Sequence, residues 1–412
     1  MNPTAQSDIE GDREPLIGQA RIMTMAFSGT DLAPIGAALM ARAEAHPSDA
    51  NALMDLSTVL QLRAQLDIAL AVQAQALAAS PLYHLPAPAG VTGIRLLALM
   101  APGDFMTNTP LDFLLEGSDV ALDMLYLAPD LALPAALPEH DVLFVALGES
   151  DRTHGLLALL EEAVKTWPRP VLNRPERIAR TSRDGASLRL RSAPGVVMPL
   201  SARVDRQTLE RLARAELPIT AVLEDGAFPV IARPVDSHAG RGLMKLDDPA
   251  ALARYLEEMA GSEFYVSRFV DYRDADGQYR KYRVVLIDGR AFAVHMGISE
   301  HWMIHYLNAG MTESAGKRAE EARFMASFDD DFARRHGAAL EAVCERFGLD
   351  YLVIDCAETN EGRLLIFEVD TGAVVHAMDP VELFPYKGAQ TRKVFAAFRA
   401  MLAKATSRGM SA

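Results

Sequence analysis

Three acidic residues lie within two apolar segments near the C-terminal end of the chain. Asp355 belongs to LDYLVIDCAE (349–358), and Glu368 and Asp370 belong to RLLIFEVD (363–370). Residues two apart in a strand project from the same face, so Glu368 and Asp370 are predicted to lie side by side. Carboxylates among apolar residues are costly to bury unless a cation neutralises them. Since Mg²⁺ prefers oxygen ligands, the pattern predicts a Mg²⁺ site, with pairing to arginines at a strand end as the alternative.

A second segment, PVIARPVDSHAGRG, combines a cation with a loop of small residues. Arg233 stands near the end of its apolar stretch, and the loop that follows contains Ser237, His238, Gly240 and Gly242. Glycines let backbone N–H groups approach phosphate oxygens, and a mobile glycine loop can close over a nucleotide. The segment therefore predicts a phosphate-binding loop, with an ordinary turn between strands as the alternative.

Several histidines lie near these segments, and their role stays open between a metal site, a substrate contact and ordinary packing. They are His295, His301, His305 and His376. His301 and His305 are four residues apart, a spacing that places two side chains on one face of a helix. Trp302 and Tyr306 lie in the same stretch and are candidates to flank a second substrate.

The 412-residue chain has a formal net charge of −14 and 50% hydrophobic residues, which predicts a folded protein of two or three domains. Net acidity argues against a nucleic-acid partner, because binding to nucleic acid requires a basic surface. Residues 165–214 are the exception, with 12 basic and 4 acidic side chains. This basic segment predicts either part of a small-anion site or a solvated face.

The cysteines Cys344 and Cys356 lie in apolar runs without metal-ligand spacing, which is typical of buried thiols in a reducing compartment. The N-terminus MNPTAQSDIEGDREPL lacks the basic start and apolar stretch of a signal peptide. No apolar run reaches the roughly 18 residues of a membrane span. We therefore expect a cytoplasmic protein without a membrane partner.

Apolar segments separated by helical patterns organise the first half of the chain. Residues 91–172 predict a small doubly wound α/β domain, because strands that are apolar throughout belong to a parallel sheet covered on both faces. Its elements are expected as strands at 94–100, 121–127 and 140–148, a helix at 153–166 and a last strand in PVLN. No GxGxxG sequence follows the first strand, so a dinucleotide fingerprint is absent.

From residue 173 onward, mixed strands and helices predict a larger α+β portion with antiparallel sheets. The strands are expected at 228–235, 263–272, 282–296, 349–358 and 363–370, the third being a hairpin that turns at Asp288-Gly289. The helices are expected at 205–215, 248–260, 318–347 and 389–404.

Residues 50–81 look like one tetratricopeptide repeat, with small and apolar residues at helical spacing. Pro47 lies 34 residues before Pro81, which matches the period of that repeat. One and a half repeats cannot form a solenoid, so packing on the rest of the chain, dimerisation and peptide capture are the roles left open. The Pro-rich PLYHLPAPAG is expected to bridge this helical part and the first sheet.

Seven segments, taken in order, resemble those of an ATP-grasp enzyme of the glutathione-synthetase-like kind. They are VLNRPERIAR, PVIARPVDSHAGRG, EFYVSRFVDY, KYRVVLIDGR, HYLNAGM, LDYLVIDCAE and LIFEVD. The resemblance covers about residues 91–400. It implies a helical extension at 1–88, a pre-ATP-grasp α/β domain at 89–172 and an ATP-grasp domain at 173–412, with subdomains at about 173–262 and 263–400.

The resemblance also implies a role for each candidate residue. In the positions of two nucleotide-binding lysines stand Arg183 and Arg233. The loop over the triphosphate matches Ser237, His238, Gly240 and Gly242. The hinge that grips adenine matches Arg268, Phe269 and Val270. The positions that face phosphate and the reacting groups match Arg283 and Asn308, and the Mg²⁺-binding triad matches Asp355, Glu368 and Asp370.

The implied activity is an ATP-dependent carboxylate–amine ligase, which forms an amide through an acyl phosphate and releases ADP and phosphate. ATP and Mg²⁺ are the implied cofactors, and the implied partners are a small carboxylic acid, an amine and a second copy of the chain. Arginine replaces both lysines, and Asp370 replaces the asparagine that usually closes the triad. Two alternatives are therefore open: a nucleotide-sensing protein with a degenerate domain, and a ligase that modifies a peptide or protein terminus.

Overall fold

In a computed structural model, residues 14–237 and 240–409 form fourteen strands in three sheets together with fourteen α-helices. The helices are α1 (Gln19–Phe27), α2 (Ala33–Ala45), α3 (Ala50–Leu62), α4 (Leu66–Ala79), α5 (Leu111–Leu114), α6 (Asp151–Ala163), α7 (Pro175–Ile178), α8 (Arg183–Leu190), α9 (Arg206–Ala213), α10 (Pro249–Glu258), α11 (Ala315–Ser327), α12 (Phe332–Arg335), α13 (Gly337–Phe347) and α14 (Lys387–Gly409). The strands are β1 (Leu82–Leu85), β2 (Ile94–Met100), β3 (Val120–Tyr126), β4 (Val142–Val145), β5 (Val171–Leu172), β6 (Val196–Val197), β7 (Ser201–Asp205), β8 (Val230–Pro234), β9 (Met244–Leu246), β10 (Glu263–Arg268), β11 (Tyr279–Ile287), β12 (Arg290–Ser299), β13 (Tyr351–Glu358) and β14 (Leu364–Asp370). The predicted class, α/β joined to α+β, is confirmed.

The N-terminal sheet has the strand order β1-β3-β2-β4-β5. Its strands β2 to β5 are parallel, as predicted, and β2 and β4 are buried on both faces. Strand β1 was not predicted: it lies in the Pro-rich bridge and pairs antiparallel with β3. Tyr83 explains this edge strand, because its buried ring packs edge-on against Tyr126 with 5.8 Å between ring centroids.

The small sheet has the order β7-β10-β8-β9 and is antiparallel throughout. Its apolar face packs against α9 and α10 through residues such as Leu209, Leu212, Leu252 and Tyr255. Helix α10 begins where Asp248 accepts a hydrogen bond from the Ala251 N–H, with Pro249 at the first helical position.

The central sheet has the order β12-β11-β13-β14-β6. Strands β11 and β12 form the predicted hairpin that turns at Asp288-Gly289. Two bulges interrupt the pairing, one opposite Arg283/Val284 and one opposite Asp355/Cys356. Bulges redirect side chains and are frequent next to functional sites.

Helix α14 fills the space between the central and N-terminal sheets. The Phe398 ring lies 5.8 Å from the ring of Phe144 in β4 and 5.5 Å from the ring of Tyr351 in β13. Asn173 adds a second link, because its side chain bonds the backbone N–H and C=O groups of Tyr351 at 2.9 and 2.8 Å. These contacts position the N-terminal sheet relative to the central sheet.

The single helix predicted at 318–347 is wrong, because three helices, α11, α12 and α13, occupy this stretch. The acidic run Asp329–Asp331 ends α11 in a turn, in which the Ser327 carbonyl accepts the N–H groups of Asp330 and Asp331. Phe328 and Phe332 then stack with 5.5 Å between ring centroids, which holds the turn against the core.

Helices α1 to α4 precede the N-terminal sheet, and α3 and α4 form an antiparallel helical hairpin in the predicted range. Leu53, Met54 and Leu77 share a hydrophobic core with the N-terminal sheet. The tetratricopeptide assignment stays a prediction. Cys356 is buried and Cys344 half-buried, and both are free thiols. Within the described ranges, no helix combines the length and the apolarity needed to cross a membrane.

Candidate active site

Residues of the small sheet, the central sheet and helix α1 line one cavity of about 480 Å³, within the usual size range of small-ligand sites. Among the residues described, its lining contains six lysines and arginines against four carboxylates. The predicted site residues that meet there are Arg183, Arg233, Gly240, Arg268, Phe269, Val270, Arg283, Asn308, Asp355, Glu368 and Asp370. A net acidic chain therefore concentrates positive charge in this cavity, which favours an anionic ligand.

A row of charged side chains crosses three neighbouring strands of the central sheet. Arg283 in β11 stands opposite Asp355 in β13, which stands opposite Glu368 in β14. Residues directly opposite each other in an antiparallel pair share a face. On the same face, Val285 and Val353 belong to the core that α14 covers. The face therefore changes from apolar to charged where the cavity begins.

Asp355 is bound by two cations. Arg283 donates to both carboxylate oxygens at 2.8 and 3.0 Å, and Lys281 Nζ lies 2.7 Å from Oδ2. Burial alone would raise the pKa of Asp355, but the charges of Arg283 and Lys281 outweigh it and hold that pKa well below its usual range. Asp355 is therefore a buried carboxylate whose ionised form is stabilised by two cationic side chains.

Glu368, the second carboxylate of the row, is half-buried, and Arg183 at the start of α8 donates to it at 2.5 Å. Burial opposes its ionisation, yet Arg183 and then Arg233 lower its pKa. Arg233 in β8 is itself buried, and burial together with Arg183 lowers its pKa to about 10. Arg183 of helix α8 and Arg233 of the small sheet thus both lower the pKa of one carboxylate.

The Mg²⁺ implied by the sequence resemblance fits two of the three predicted ligands. Burial, and then the nearby Glu368, raises the pKa of Asp370 to about 6. Glu368 lies two residues away on the same strand, and Arg183 binds only one of its oxygens, so a divalent cation beside the two carboxylates would neutralise the remaining charge. In contrast, both oxygens of Asp355 already bind cationic side chains. The structure therefore contains, in part, the arginine pairing that was considered as the alternative. Between residues 14 and 409, leaving out 238 and 239, no group of three His, Cys, Asp or Glu side chains is arranged to hold a metal ion.

The predicted phosphate loop follows β8 directly. Ser237 accepts a hydrogen bond from Arg233 Nε at 3.1 Å, and its carbonyl accepts a second one from Nη2. Gly240 lines the cavity, whereas Gly242 has a φ of 67° and packs against Pro234. His238 lies outside the described residues. The loop is therefore joined to Arg233, the buried cation of the small sheet.

The predicted adenine hinge lies at the end of β10. Arg268 ends the strand, and the Phe269 N–H continues the pairing to the Pro229 carbonyl at 3.0 Å. The Phe269 ring lies edge-on to Trp302 at 5.8 Å, and Lys245 Nζ lies 5.0 Å from the centre of the same ring. Both aromatic side chains line the cavity and make this end of it apolar.

Asn308 lies in a short 3₁₀ turn, where its side chain accepts the His305 N–H at 2.9 Å. His295, His305 and His376 all line the cavity, whereas His301 does not. Burial lowers the pKa of each, and the pKa of His376 falls to about 4. These histidines are therefore neutral near pH 7, and a substrate contact or packing fits them better than a charged role.

Sequence reasoning missed a polar network behind the cavity wall. Glu321 of α11 is fully buried and accepts hydrogen bonds from the Tyr386 hydroxyl at 2.6 Å and the Tyr306 hydroxyl at 3.1 Å. Lys387, at the start of α14, lies 3.0 Å from Asp379 and 3.6 Å from Glu321. An acidic residue and a lysine in helical patterns carry no sequence signal for such a pairing.

Sequence reasoning also missed the contribution of α1. Met23 and Phe27 of this helix line the cavity, and the Phe27 ring lies 6.1 Å from the ring of His376. The expected helical extension therefore contributes side chains to the site itself.

No protein-family model matches this chain. Among solved structures, a RimK domain protein ATP-grasp from Sphaerobacter thermophilus is 19% identical, with a TM-score of 0.41, and the match covers 74% of this chain and 98% of that one. The D-alanine--D-alanine ligase from Bacillus anthracis complexed with ATP is 14% identical, with a TM-score of 0.46, and the match covers 77% of this chain and 99% of that one. The VanG D-Ala:D-Ser ligase from Enterococcus faecalis is 13% identical, with a TM-score of 0.46, and the match covers 75% of this chain and 99% of that one. The function of this chain therefore has to follow from its own residues.

Proposed function

We propose that this chain is an ATP-dependent carboxylate–amine ligase that forms an amide through an acyl phosphate. The observation that carries the proposal is the excess of cations in the cavity lining, which meets the neighbouring half-buried carboxylates of Glu368 and Asp370. A triphosphate needs such cations, and the carboxylates supply the oxygen ligands of its metal ion. The order of motifs resembling an ATP-grasp enzyme supports the same assignment.

Each part of the cavity has a separate task in this reaction. Phe269 and Trp302 hold the adenine ring, and Arg233 together with Gly240 of the following loop holds the phosphates. Arg183 and Arg283 neutralise charge around the transferred phosphoryl group. Glu368 and Asp370 would hold Mg²⁺, which when bound neutralises the triphosphate and orients it.

The bond changes follow from this arrangement. A substrate carboxylate oxygen attacks the γ-phosphorus, and the bond from that phosphorus to the β–γ bridging oxygen breaks to release ADP. An unprotonated amine then attacks the acyl carbon, the bond to phosphate breaks, and the amine nitrogen loses a proton. Positioning and charge neutralisation supply most of the rate of phosphoryl transfer.

The test measures ADP release by the purified protein with Mg-ATP, pooled carboxylic acids and hydroxylamine as a trap for the acyl phosphate. The proposal requires ADP and a hydroxamate in equal amounts, both dependent on Mg²⁺. ADP release without a hydroxamate in any pool would contradict the acyl-phosphate step.

A nucleotide-sensing protein is the second candidate. It is favoured by the ion pairs of Asp355 and Glu368, which leave both carboxylates already neutralised by arginine and lysine. Saturable ATP binding without ADP release, in the presence of every acid pool, would support the sensor over the ligase.

A further inference from the structure

Helix α1 closes one end of the cavity with apolar side chains. Phe27 and Met23 line this end together with Val374, His376 and Met378 from the segment after β14. Phe27 is 44% exposed although it is a large apolar residue that lies against His376. When an apolar ligand group covers a large apolar side chain that faces a cavity, the free energy of the complex falls.

The position of α1 is held by a buried carboxylate of α3 and a half-buried carboxylate of α5. Asp55 in α3 accepts the Ile17 and Gly18 N–H groups at 2.8 and 3.0 Å, and Asp112 in α5 accepts the Ala20 N–H at 2.6 Å. Hydrogen bonds from backbone N–H groups to ionised carboxylates are among the stronger ones in proteins. The helix therefore presents Phe27 from a fixed site.

The apolar end of the cavity begins next to Arg283, the cation that pairs with Asp355. Arg283 Nη1 donates to the Val374 carbonyl at 3.2 Å, while its other nitrogens bind Asp355. The Val374 side chain packs against the small core that contains Met23 and Met378. An acid bound beside Arg283 therefore has the apolar residues of α1 and of the segment after β14 within reach in the same cavity.

We propose that α1 forms the specificity wall of the acid-binding end, and that the acid substrate carries an apolar group, aromatic or branched, that packs against Phe27. This inference rests on the proposed ligase function for the identity of the ligand as a carboxylic acid. It assigns to the N-terminal helices a direct part in substrate choice.

The test uses two probes that share a carboxylate and differ by an apolar group, acetate and 3-phenylpropanoate. Calorimetry measures their binding to the full-length protein with ADP and Mg²⁺. We expect 3-phenylpropanoate to bind at least tenfold more tightly than acetate. Phe27→Ala should reduce this ratio to less than threefold, and Phe27→Leu should keep it above fivefold.

The matched control is Met40→Ala, because Met40 is a similarly exposed apolar residue of α2, 48% exposed, that does not line the cavity. It should leave the ratio unchanged, and ADP affinity should stay within twofold in all variants. A wild-type ratio below threefold, or a tenfold ratio that survives in Phe27→Ala, would overturn the proposal.

The binding readout separates this inference from the proposed function. If the ratio behaves as expected but no acid supports ADP release, the ligase chemistry fails and the apolar wall stands. If ADP is released with a hydroxamate but the ratio is absent, the ligase stands and the apolar wall fails.

Discussion

Arg283 and Asp355 lie opposite each other on β11 and β13, and the guanidinium fork donates to both carboxylate oxygens at 2.8 and 3.0 Å. Lys281 adds a third contact to the same carboxylate at 2.7 Å. Such a buried group is stable only while its partners remain, because an unpaired buried charge is costly. The pair thus joins the stability of the central sheet to the charge of the cavity.

Replacing Arg283 should therefore affect stability and activity together. Arg283→Leu leaves Asp355 with Lys281 alone, and we expect a loss of about 3–5 kcal/mol in the free energy of unfolding, measured by urea denaturation. Arg283→Lys keeps the charge but not the fork, so it should lose less stability and still lower ligase turnover at least tenfold. The control is Arg290→Leu, at the exposed turn of the same hairpin. Equal losses in Arg283→Leu and Arg290→Leu would count against a special role for the pair.

Glu368→Gln should abolish Mg²⁺-dependent turnover while the protein still unfolds cooperatively. The amide keeps the size of the side chain but removes the charge that faces Asp370 and binds Arg183. We expect hydroxamate formation to fall at least 100-fold, and ATP binding to be retained. Glu361→Gln is the matched control, since Glu361 is an exposed acid between the strands β13 and β14. Unchanged turnover in Glu368→Gln would remove this residue from the proposed Mg²⁺ site.

Glu149 should make the protein less stable as the pH rises. Burial, followed by Asp236 and Asp184, raises its pKa from 4.5 to about 7. A raised folded-state pKa means that the stabilisation is fully present below about pH 4.5 and is lost as the pH rises through about 7. Glu149→Gln resembles the protonated form, so its free energy of unfolding should be higher than that of the wild type by about 1–3 kcal/mol at pH 8 and by little at pH 4.5.

Denaturant unfolding at both pH values tests this difference. Glu162→Gln, on the exposed side of α6, is the control and should show no gain at either pH. A gain for Glu149→Gln of the same size at pH 4.5 and pH 8 would mean that the charge is not its cause.

Gly242→Ala should destabilise the loop after β8. Gly242 has a φ of 67°, and a Cβ there would lie 2.7 Å from Cδ of Pro234. Backbone strain and atomic overlap together should lower the free energy of unfolding by about 1–3 kcal/mol and weaken ATP binding. Gly316→Ala, where the nearest atom is Ser314 Oγ at 3.8 Å, should instead be neutral or stabilising by up to about 1 kcal/mol. Unfolding and ATP titration of both variants distinguish a strained position from a general effect of added methyl groups.

The sequence by itself was sufficient for the individual elements near the site. Apolar runs predicted the strands that carry Arg233, Arg283, Asp355 and Glu368, because strand formation depends on local residue types. The shared face of Glu368 and Asp370 followed from strand geometry alone. In contrast, the prediction of a single helix over 318–347 was wrong. The stacking of Phe328 on Phe332 holds a turn in this stretch, and helical spacing does not reveal that turn.

Only the tertiary structure decided which charges meet. Asp355 pairs with Arg283 because β11 and β13 are neighbours in one register, and Glu368 pairs with Arg183 across 185 positions of sequence. The participation of Phe27 depends on the packing of α1 against α3 and α5, which no local pattern encodes. Local spacing determines the face on which a side chain lies, whereas register and packing between distant elements determine what that face meets.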